Sequence, residues 1–217
     1  MRKADLTATA YLILRNRLTA CPTDTAPVHQ KISRRHLHQP TRSNVRTMPL
    51  ELQPKDHRGY FILPQGPEGA GYYVYGNIHR MPNSGHLAQH AHPGMLSLIF
   101  HVEHQWQAID DRKFGIGNIS IAEGVAYDKH KSHQKDIEMD IRPVRKDKLT
   151  GQAARVSRFD EVYDRDATIK LIRLFLQHPA VTKVFFNDAS IQKEIGGGRV
   201  RFLMGHDDHL HIEIREH

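Results

Sequence analysis

Two stretches of the 217-residue chain decide its fold: HKSHQKDIEMD, residues 130–140, and GHDDHLHIEI, residues 205–214. In the first stretch, residues 137–141 alternate apolar and polar side chains as a strand does. This pattern predicts that Asp140 lies on a strand and that His133 lies on the loop before it. The stretch therefore presents an imidazole and a carboxylate near each other.

The second stretch alternates in the same way. His209, His211 and Glu213 are expected on one face of a strand, and the opposite, apolar face carries Leu210, Ile212 and Ile214. The apolar face predicts the core side of the sheet. The two histidines on the other face are expected to have different roles. One binds a metal ion, and its neighbour lies over a bound water.

These residue types are typical of a catalytic zinc site. Catalytic zinc takes three protein ligands, commonly His nitrogens and carboxylate oxygens, and keeps a fourth position for water. A structural zinc is the alternative, but such sites are closed by four ligands that commonly include Cys. The only cysteine is Cys21, which lies outside both stretches. The sequence therefore favours Zn²⁺ in a catalytic site.

The motif resembles that of a known peptidase superfamily. The pattern H-x6-D, followed distally by H-x-H, is similar to the zinc signature shared by lysostaphin-type enzymes, D-Ala-D-Ala carboxypeptidases and penicillin-insensitive murein endopeptidases. The last family is the most similar: its HxSHQ-x3-D-x-D pattern resembles residues 130–140, and its H-x2-H-x-H resembles His206, His209 and His211. The likeness covers roughly residues 70–215. It departs at residues 136–138, which read Asp-Ile-Glu where the family usually has Gly-Leu-Asp.

The resemblance implies a role for each residue of the motif. The zinc ligands that it implies are His133, Asp140 and His211. His209 is the expected general base, His206 would stabilise the oxyanion or assist proton transfer, and His130 would be a supporting or additional metal contact. The implied enzyme is a zinc metallopeptidase that hydrolyses peptide cross-links of bacterial peptidoglycan, between D-alanyl and diaminopimelyl residues.

Two alternatives stay open. In the related carboxypeptidase branch the base is a Glu three residues before the final zinc His, and Asp208 occupies that position here. A murein peptidase of that type would use Asp208 as base and prefer another bond. The alternative of another class is a non-catalytic, basic domain that binds cell wall or nucleic acid.

The charge of the chain fits an anionic partner. The formal net charge is +7 and the pI is near 9.6, so nucleic acid, a membrane surface and an acidic wall polymer are all admissible. The arginines of the N-terminal part have no interleaved aromatic residues, which argues against a nucleic-acid arm. We therefore expect peptidoglycan peptide stems as the partner and no nucleic acid. Composition does not determine the oligomeric state.

Composition also divides the chain into two parts. Residues 1–58 are basic, with few large apolar side chains after the first 20, and are expected to be poorly ordered, whereas residues 59–217 form the predicted peptidase domain. No apolar run approaches the ~20 residues of a membrane span. The resemblance implies the periplasm or cell envelope. The leader is not a convincing signal peptide, because Arg15, Asn16 and Arg17 interrupt its apolar stretch.

The remaining elements predict an α+β fold, with a small central antiparallel sheet that carries the zinc site on a hairpin and is flanked by helices. Tyr60–Leu63, Tyr72–Tyr75 and Ile116–Ile121 are predicted strands, and the tyrosines are core residues or a platform beside the cleft. A helix beginning at Pro93 is predicted to bury Leu96, Ile99, Phe100, Val102, Trp106 and Ile109. Asp164 or Asp166 is expected to cap a later helix.

Overall fold

The computed structural model describes residues 55–78, 81, 84–126, 132–133 and 135–215. Within these ranges no helix is both long enough and apolar enough to cross a lipid bilayer. The described strands and α-helices are, in chain order, β1 (Phe61–Ile62), β2 (Tyr72–Val74), β3 (His90–Ala91), α1 (Pro93–Gln107), β4 (Phe114–Ile116), β5 (Glu138–Ile141), α2 (Arg165–Gln177), β6 (Val181–Phe185), α3 (Ala189–Ile195), β7 (Val200–Arg201) and β8 (Leu210–Ile214).

A six-stranded sheet in the order β2-β4-β5-β8-β6-β7 forms the centre of the fold. Its four inner strands pair antiparallel, and the outer pairs β2-β4 and β6-β7 are parallel. β1 and β3 form a separate two-stranded antiparallel sheet. The predicted α+β class is thus confirmed, with the two motif-bearing strands β5 and β8 as neighbours at the middle of the larger sheet.

The core lies on the apolar face of β5 and β8. Met139, Ile141, Leu210 and Ile212 are all fully buried there, as the period-two pattern predicts. α1 and α2 belong to the same core, and Phe175 of α2 meets Phe114 of β4 edge to face at a centroid distance of 6.0 Å. Burial of this face holds the register of the two strands, and with it the positions of the polar residues opposite.

The helix boundaries follow their capping residues. Pro93 begins α1, and the His92 side chain accepts a hydrogen bond from the Gly94 amide, so His92 acts as a cap. Asp164 rather than Asp166 caps α2, because its carboxylate accepts from the Ala167 amide. The buried stripe of α1 differs in part from the prediction. Phe100 and Ile109 are exposed, and the buried residues are Met95, Leu98, Ile99, Val102 and Trp106.

Two predictions about the strands were wrong in detail. Residues 116–121 do not form one strand, because β4 ends at Ile116 and the chain then bonds to two partners: the Gly117 amide donates to Asp140, and the Ile119 amide donates to Ala88. Nor do β5 and β8 form a hairpin. They pair antiparallel, but α2, β6, α3 and β7 lie between them in the chain.

The described part of the chain begins with residues that already contact the domain. Lys55 forms a β-bridge with Phe61, and the Asp56 carboxylate is buried and accepts from the amide of Glu123. Residues 55–58 were assigned from composition to the N-terminal part, yet they pack beside the loop that carries His133. The predicted boundary at residue 58 otherwise stays a prediction.

Candidate metal centre

Sheet register brings two of the predicted ligands together. Asp140 on β5 lies directly opposite His211 on β8, and both side chains are buried on the polar face of the sheet. The distance between Asp140 Oδ1 and His211 Nδ1 is 3.2 Å. Asp140 and His211 are far apart in sequence. They meet on one face of the sheet because the apolar residues that alternate with them along each strand lie on the opposite, core face.

His133 reaches the same point from a loop. Its φ angle is 64°, in the left-handed region that His, Asn and Asp adopt more readily than most other residues. Its Nδ1 lies 2.9 Å from the Ile119 carbonyl, which can only accept, so Nδ1 carries the proton. Its Nε2 faces Asp140 Oδ1 at 3.2 Å. The main-chain amide of His133 donates to Glu138.

His133, Asp140 and His211 each offer one ligand atom, and these atoms all lie within 4.8 Å of one another. The His133 and His211 rings meet edge to face with centroids 4.9 Å apart. Two imidazoles and a carboxylate are a donor set that divalent metals bind in proteins. Moreover, the Ile119 carbonyl sets the tautomer of His133, as outer hydrogen-bond partners do in metal sites. The three residues therefore fit a bound metal ion.

The electrostatics of the cluster favour a cation. Burial would raise the pKa of Asp140, but the imidazoles of His133, His211 and His209 hold that pKa well below its usual range. Burial would lower the pKa of His133, yet the Asp140 and Glu138 carboxylates raise it overall. The Asp140 carboxylate thus stays ionised. Its negative charge favours the binding of a cation to the imidazole nitrogens, and protons compete with a metal ion for them.

His209 lies beside the cluster with a carboxylate partner of its own. Its Nδ1 is 2.8 Å from Asp208 Oδ1, and its Nε2 is 3.9 Å from Asp140 Oδ1. The Arg155 guanidinium binds the same Asp208 carboxylate at 3.0 Å. The bond from His209 and the charge of Arg155 lower the pKa of Asp208, whereas that of His209 is raised by Asp208 and Asp140 against the effect of burial. Asp208 therefore orients His209 with Nε2 toward the cluster.

His206 packs on His209, with ring centroids 4.5 Å apart, and is 5.6 Å from the His211 ring. Its Nδ1 lies 3.2 Å from each of the carbonyls of Leu203 and Met204, so this nitrogen also carries the proton. Burial and the neighbouring His209 lower the pKa of His206. A neutral imidazole is thus available next to His209.

One predicted site residue cannot be placed, and one further group of donors is present. His130, the expected supporting contact, lies outside the described residues. Glu138, His211 and Glu213 also bring ligand atoms within 4.8 Å of one another. That group shares His211 with the first cluster, and Glu213 is paired with Lys183 at 2.8 Å. The fully buried group around Asp140 is the stronger candidate.

Sequence reasoning missed the contact that holds the His133 loop. Arg58 binds the carboxylates of both Asp56 and Asp136, and the Asp136 side chain is fully buried. Burial raises the pKa of Asp136 to about 7, although Arg58 opposes this shift. Asp136 has a φ of 61°, a conformation that glycine adopts without strain. The position where the resembled family has Gly therefore carries a buried Asp with a partly buried cationic partner.

A cleft of about 250 Å³ opens onto Asp140 and His209. The rest of its wall is formed by residues from the β2 end and from the loop after β5, including Tyr75, Arg142, Gln152 and Arg155. A second cleft of about 240 Å³ adjoins it and shares Tyr75, Gly76 and Gln152. Asp140 thus lines a groove that could hold an extended ligand.

Comparison with known proteins adds no family assignment: no family model matches the chain, and no curated protein is significantly similar to it. The likeness to murein endopeptidases stays a prediction from the two-part motif. Any function must therefore be argued from the cluster, its histidines and the groove.

Proposed function

We propose that the protein is a zinc-dependent endopeptidase that hydrolyses the peptide cross-links of bacterial peptidoglycan. The observation that carries the proposal is the buried group of His133, Asp140 and His211 beside His209, whose orientation Asp208 sets. The resemblance of both motif stretches to murein endopeptidases supports the same reaction.

Zinc is the metal that the donor set favours. Two imidazoles with one carboxylate are ligands found in zinc peptidases, and the group leaves room for a water or substrate oxygen. Bound zinc would supply Lewis acidity, which lowers the pKa of a water molecule and polarises a carbonyl group. No described cysteine or fourth buried donor completes a closed structural site around these three residues.

His209 is the residue best placed to move a proton. With its Nδ1 hydrogen bonded to Asp208, its Nε2 can take a proton from the attacking water and deliver it to the leaving amine. Asp208 stabilises the imidazolium that forms between these steps, as a carboxylate does in other His-dependent hydrolases. His206, whose ring packs against His209, carries its proton on Nδ1, so in its neutral form its Nε2 can assist the proton transfer but cannot donate a hydrogen bond to an oxyanion.

This geometry favours His209 over Asp208 as the base. Asp208 is engaged by both His209 and Arg155, and its lowered pKa makes it a weak proton acceptor near neutral pH. The carboxypeptidase-type alternative requires Asp208 itself to take the proton. His209→Ala separates the two: with His209 as base the rate should collapse, whereas an Asp208 base predicts that much of the rate survives.

The groove and the charge of the chain suit a wall peptide as substrate. Arg142 and Arg155 line the cleft beside the cluster, where they can attract the carboxylates of stem peptides. The D-alanyl to diaminopimelyl bond is the target that the resemblance implies, which places the enzyme's work in the periplasm or cell envelope. Bound zinc and a basic cleft without hydrolysis would instead describe a wall-binding domain.

The decisive experiment is digestion of purified cross-linked peptidoglycan by the zinc-loaded protein, with and without a chelator, followed by mass analysis of the released muropeptides. We expect chelator-sensitive loss of cross-linked dimers and gain of monomers. His209→Ala should keep zinc but lose at least about 100-fold in rate, since general base catalysis contributes about 10²–10⁴-fold. The exposed His104 on α1 offers the matched control, and His104→Ala should cleave at the wild-type rate.

The outcomes separate the candidates. An unchanged muropeptide profile from zinc-loaded wild-type protein would exclude the endopeptidase. Retained binding to peptidoglycan that weakens steeply with salt would then favour the wall-binding domain. Loss of a terminal D-alanine without loss of cross-links would favour the carboxypeptidase.

A further inference from the structure

Tyr75 lines the cleft that contains Asp140 and His209. It follows β2 directly, and its amide donates to the Ile116 carbonyl of β4. By the alternation of strand side chains, Tyr75 and Tyr73 share one face while Tyr72 points into the core, where it is almost completely buried. Tyr75 therefore lies on the polar face of the sheet, the face that carries Asp140 and His211, and it lines the cleft.

The ring of Tyr75 is held rigidly between two partners. On one side lies Gly117, where a Cβ atom would approach the ring Cζ to 2.6 Å, so only glycine leaves room for the ring. On the other side lies the Arg142 guanidinium, 3.9 Å from the ring centroid. Arg142 is itself held by the carbonyls of Gly151 and Gln152, at 2.6 and 3.1 Å. These contacts thus fix the position of the Tyr75 hydroxyl before any ligand binds.

The hydroxyl has no hydrogen-bond partner among the described residues, although it is buried from solvent. A buried polar group without a partner costs folding free energy, and such groups are rare in folded proteins. Here the residue that carries the group lines a cleft together with a candidate metal ligand and the candidate base, and the hydroxyl lies below the cleft surface. A bound ligand would supply the missing partner.

We propose that the Tyr75 hydroxyl donates a hydrogen bond to the carbonyl oxygen of a peptide bound in the cleft beside Asp140 and His209. This role rests on the proposed peptidase function, in which that oxygen gains negative charge as the bond is cleaved. A preorganised donor directed at such an oxygen is the kind of group that stabilises the transition state of acyl transfer.

The surroundings of Tyr75 favour a negatively charged oxygen as the acceptor. Arg142 and Arg155 line the same cleft, whereas the carboxylates of Asp140 and Asp208 are already engaged by imidazoles. Burial and the nearby Asp140 raise the pKa of Tyr75 well above its usual value, so the hydroxyl keeps its proton. It therefore acts as a donor rather than as an anion that would repel the substrate oxygen.

Tyr75→Phe tests the role, because it removes the hydroxyl and keeps the ring between Gly117 and Arg142. The control is Tyr73→Phe: its ring lies against Gly115 in the same way and its hydroxyl oxygen accepts a hydrogen bond from Arg142, but it borders a different cleft with Arg112 and Lys113. It therefore shows what a looser Arg142 alone would change. Three quantities are measured on all proteins: the melting temperature, the rate of cross-link cleavage, and the affinity of the cobalt-loaded protein for inorganic phosphate. Phosphate serves as a tetrahedral oxyanion probe, followed through the cobalt absorption spectrum.

We expect Tyr75→Phe to melt at the wild-type temperature or above it, because it removes a buried hydroxyl without a partner. Its cleavage rate and its phosphate affinity should each fall by about 10-fold or more, as expected for a lost hydrogen bond to a charged group. Tyr73→Phe should leave both close to wild type. A lower melting temperature with unchanged phosphate affinity would overturn the role, since the hydroxyl would then serve the fold.

The readouts also distinguish this role from the proposed function. If wild-type protein cleaves no cross-links but Tyr75→Phe weakens phosphate binding, the peptidase proposal fails and the oxyanion-binding role of Tyr75 stands. If both proteins cleave cross-links at the same rate, the peptidase proposal stands and Tyr75 has no part in it.

Discussion

The two sides of the candidate metal centre are held in place by different physical means. On the sheet side, Asp140 and His211 are paired by the register of β5 and β8, which rests on a ladder of four opposed residue pairs and a buried apolar face. On the loop side, His133 depends on two left-handed residues, a carbonyl contact and the ion pair between Arg58 and Asp136.

This difference teaches where the site is vulnerable. A strand register is supported by many small contributions, so no single polar contact decides it. A loop that is held by a few buried charges can move when one of these charges is removed, because an unpaired buried charge is strongly destabilising. We therefore expect substitutions around His133 to alter metal affinity more than equally mild substitutions around β8.

The largest effect should come from removing a metal ligand itself, whichever side supplies it. Asp140→Ala should weaken zinc binding by more than about 100-fold, since loss of an outer partner alone costs about 10–100-fold. Chelator competition measures the affinity, and circular dichroism checks the fold. Asp111→Ala is the matched control, because that carboxylate is largely exposed and pairs with Lys148 on the surface. Stoichiometric zinc in Asp140→Ala at wild-type affinity would refute the ligand assignment.

The loop side should respond to the loss of Arg58. Arg58→Ala leaves Asp136 buried without its cation. Because the pKa of Asp136 is about 7 even with Arg58 present, its carboxyl should then bind a proton, and we expect about 1–3 kcal/mol of lost stability and about 10-fold weaker zinc binding. The double variant Arg58→Ala/Asp136→Gly should recover much of the lost stability and zinc affinity. It removes the carboxyl group that has lost its partner, and glycine adopts the φ of 61° freely. Denaturant unfolding and chelator competition give the two quantities.

The outcome of this double-variant cycle decides whether the ion pair positions the loop. Asp56 keeps hydrogen bonds from the amides of Arg58, Tyr60 and Glu123 in both variants, so it should not mask the recovery. If Asp136→Gly adds its own loss to that of Arg58→Ala, the two residues act independently and their ion pair does not position the His133 loop.

The smallest effect should come from the sheet side. Lys183 pairs with Glu213 of β8 at 2.8 Å, two residues beyond His211, and about half of its side chain is exposed. Because exposed ion pairs contribute little, Lys183→Ala should cost under about 1 kcal/mol of stability and change zinc affinity by no more than about twofold. The same unfolding and competition measurements apply. A loss of affinity as large as that of Arg58→Ala would show that β8 depends on single contacts after all.

Much of the fold could be predicted because its signals are local. The apolar residues of β5 and β8, the proline and hydrophobic period of α1 and the Asp164 cap of α2 each act within a few residues. The misplaced strand at residues 116–121 shows the limit of that reasoning. Its apolar alternation is real, but its hydrogen bonds go to two distant segments, which a local pattern does not reveal.

The sequence by itself determined that Asp140 and His211 would lie on the polar faces of two strands, with His133 and His209 just before them in the chain, because period-two alternation sends apolar side chains to the core and polar ones to the opposite face. Only the tertiary structure decided which nitrogen of each imidazole faces the cluster, that Asp208 orients His209, that Arg58 holds the His133 loop and that Tyr75 borders the cleft. Most of these contacts join residues far apart in the chain, and all depend on side-chain orientations that only the packed fold sets.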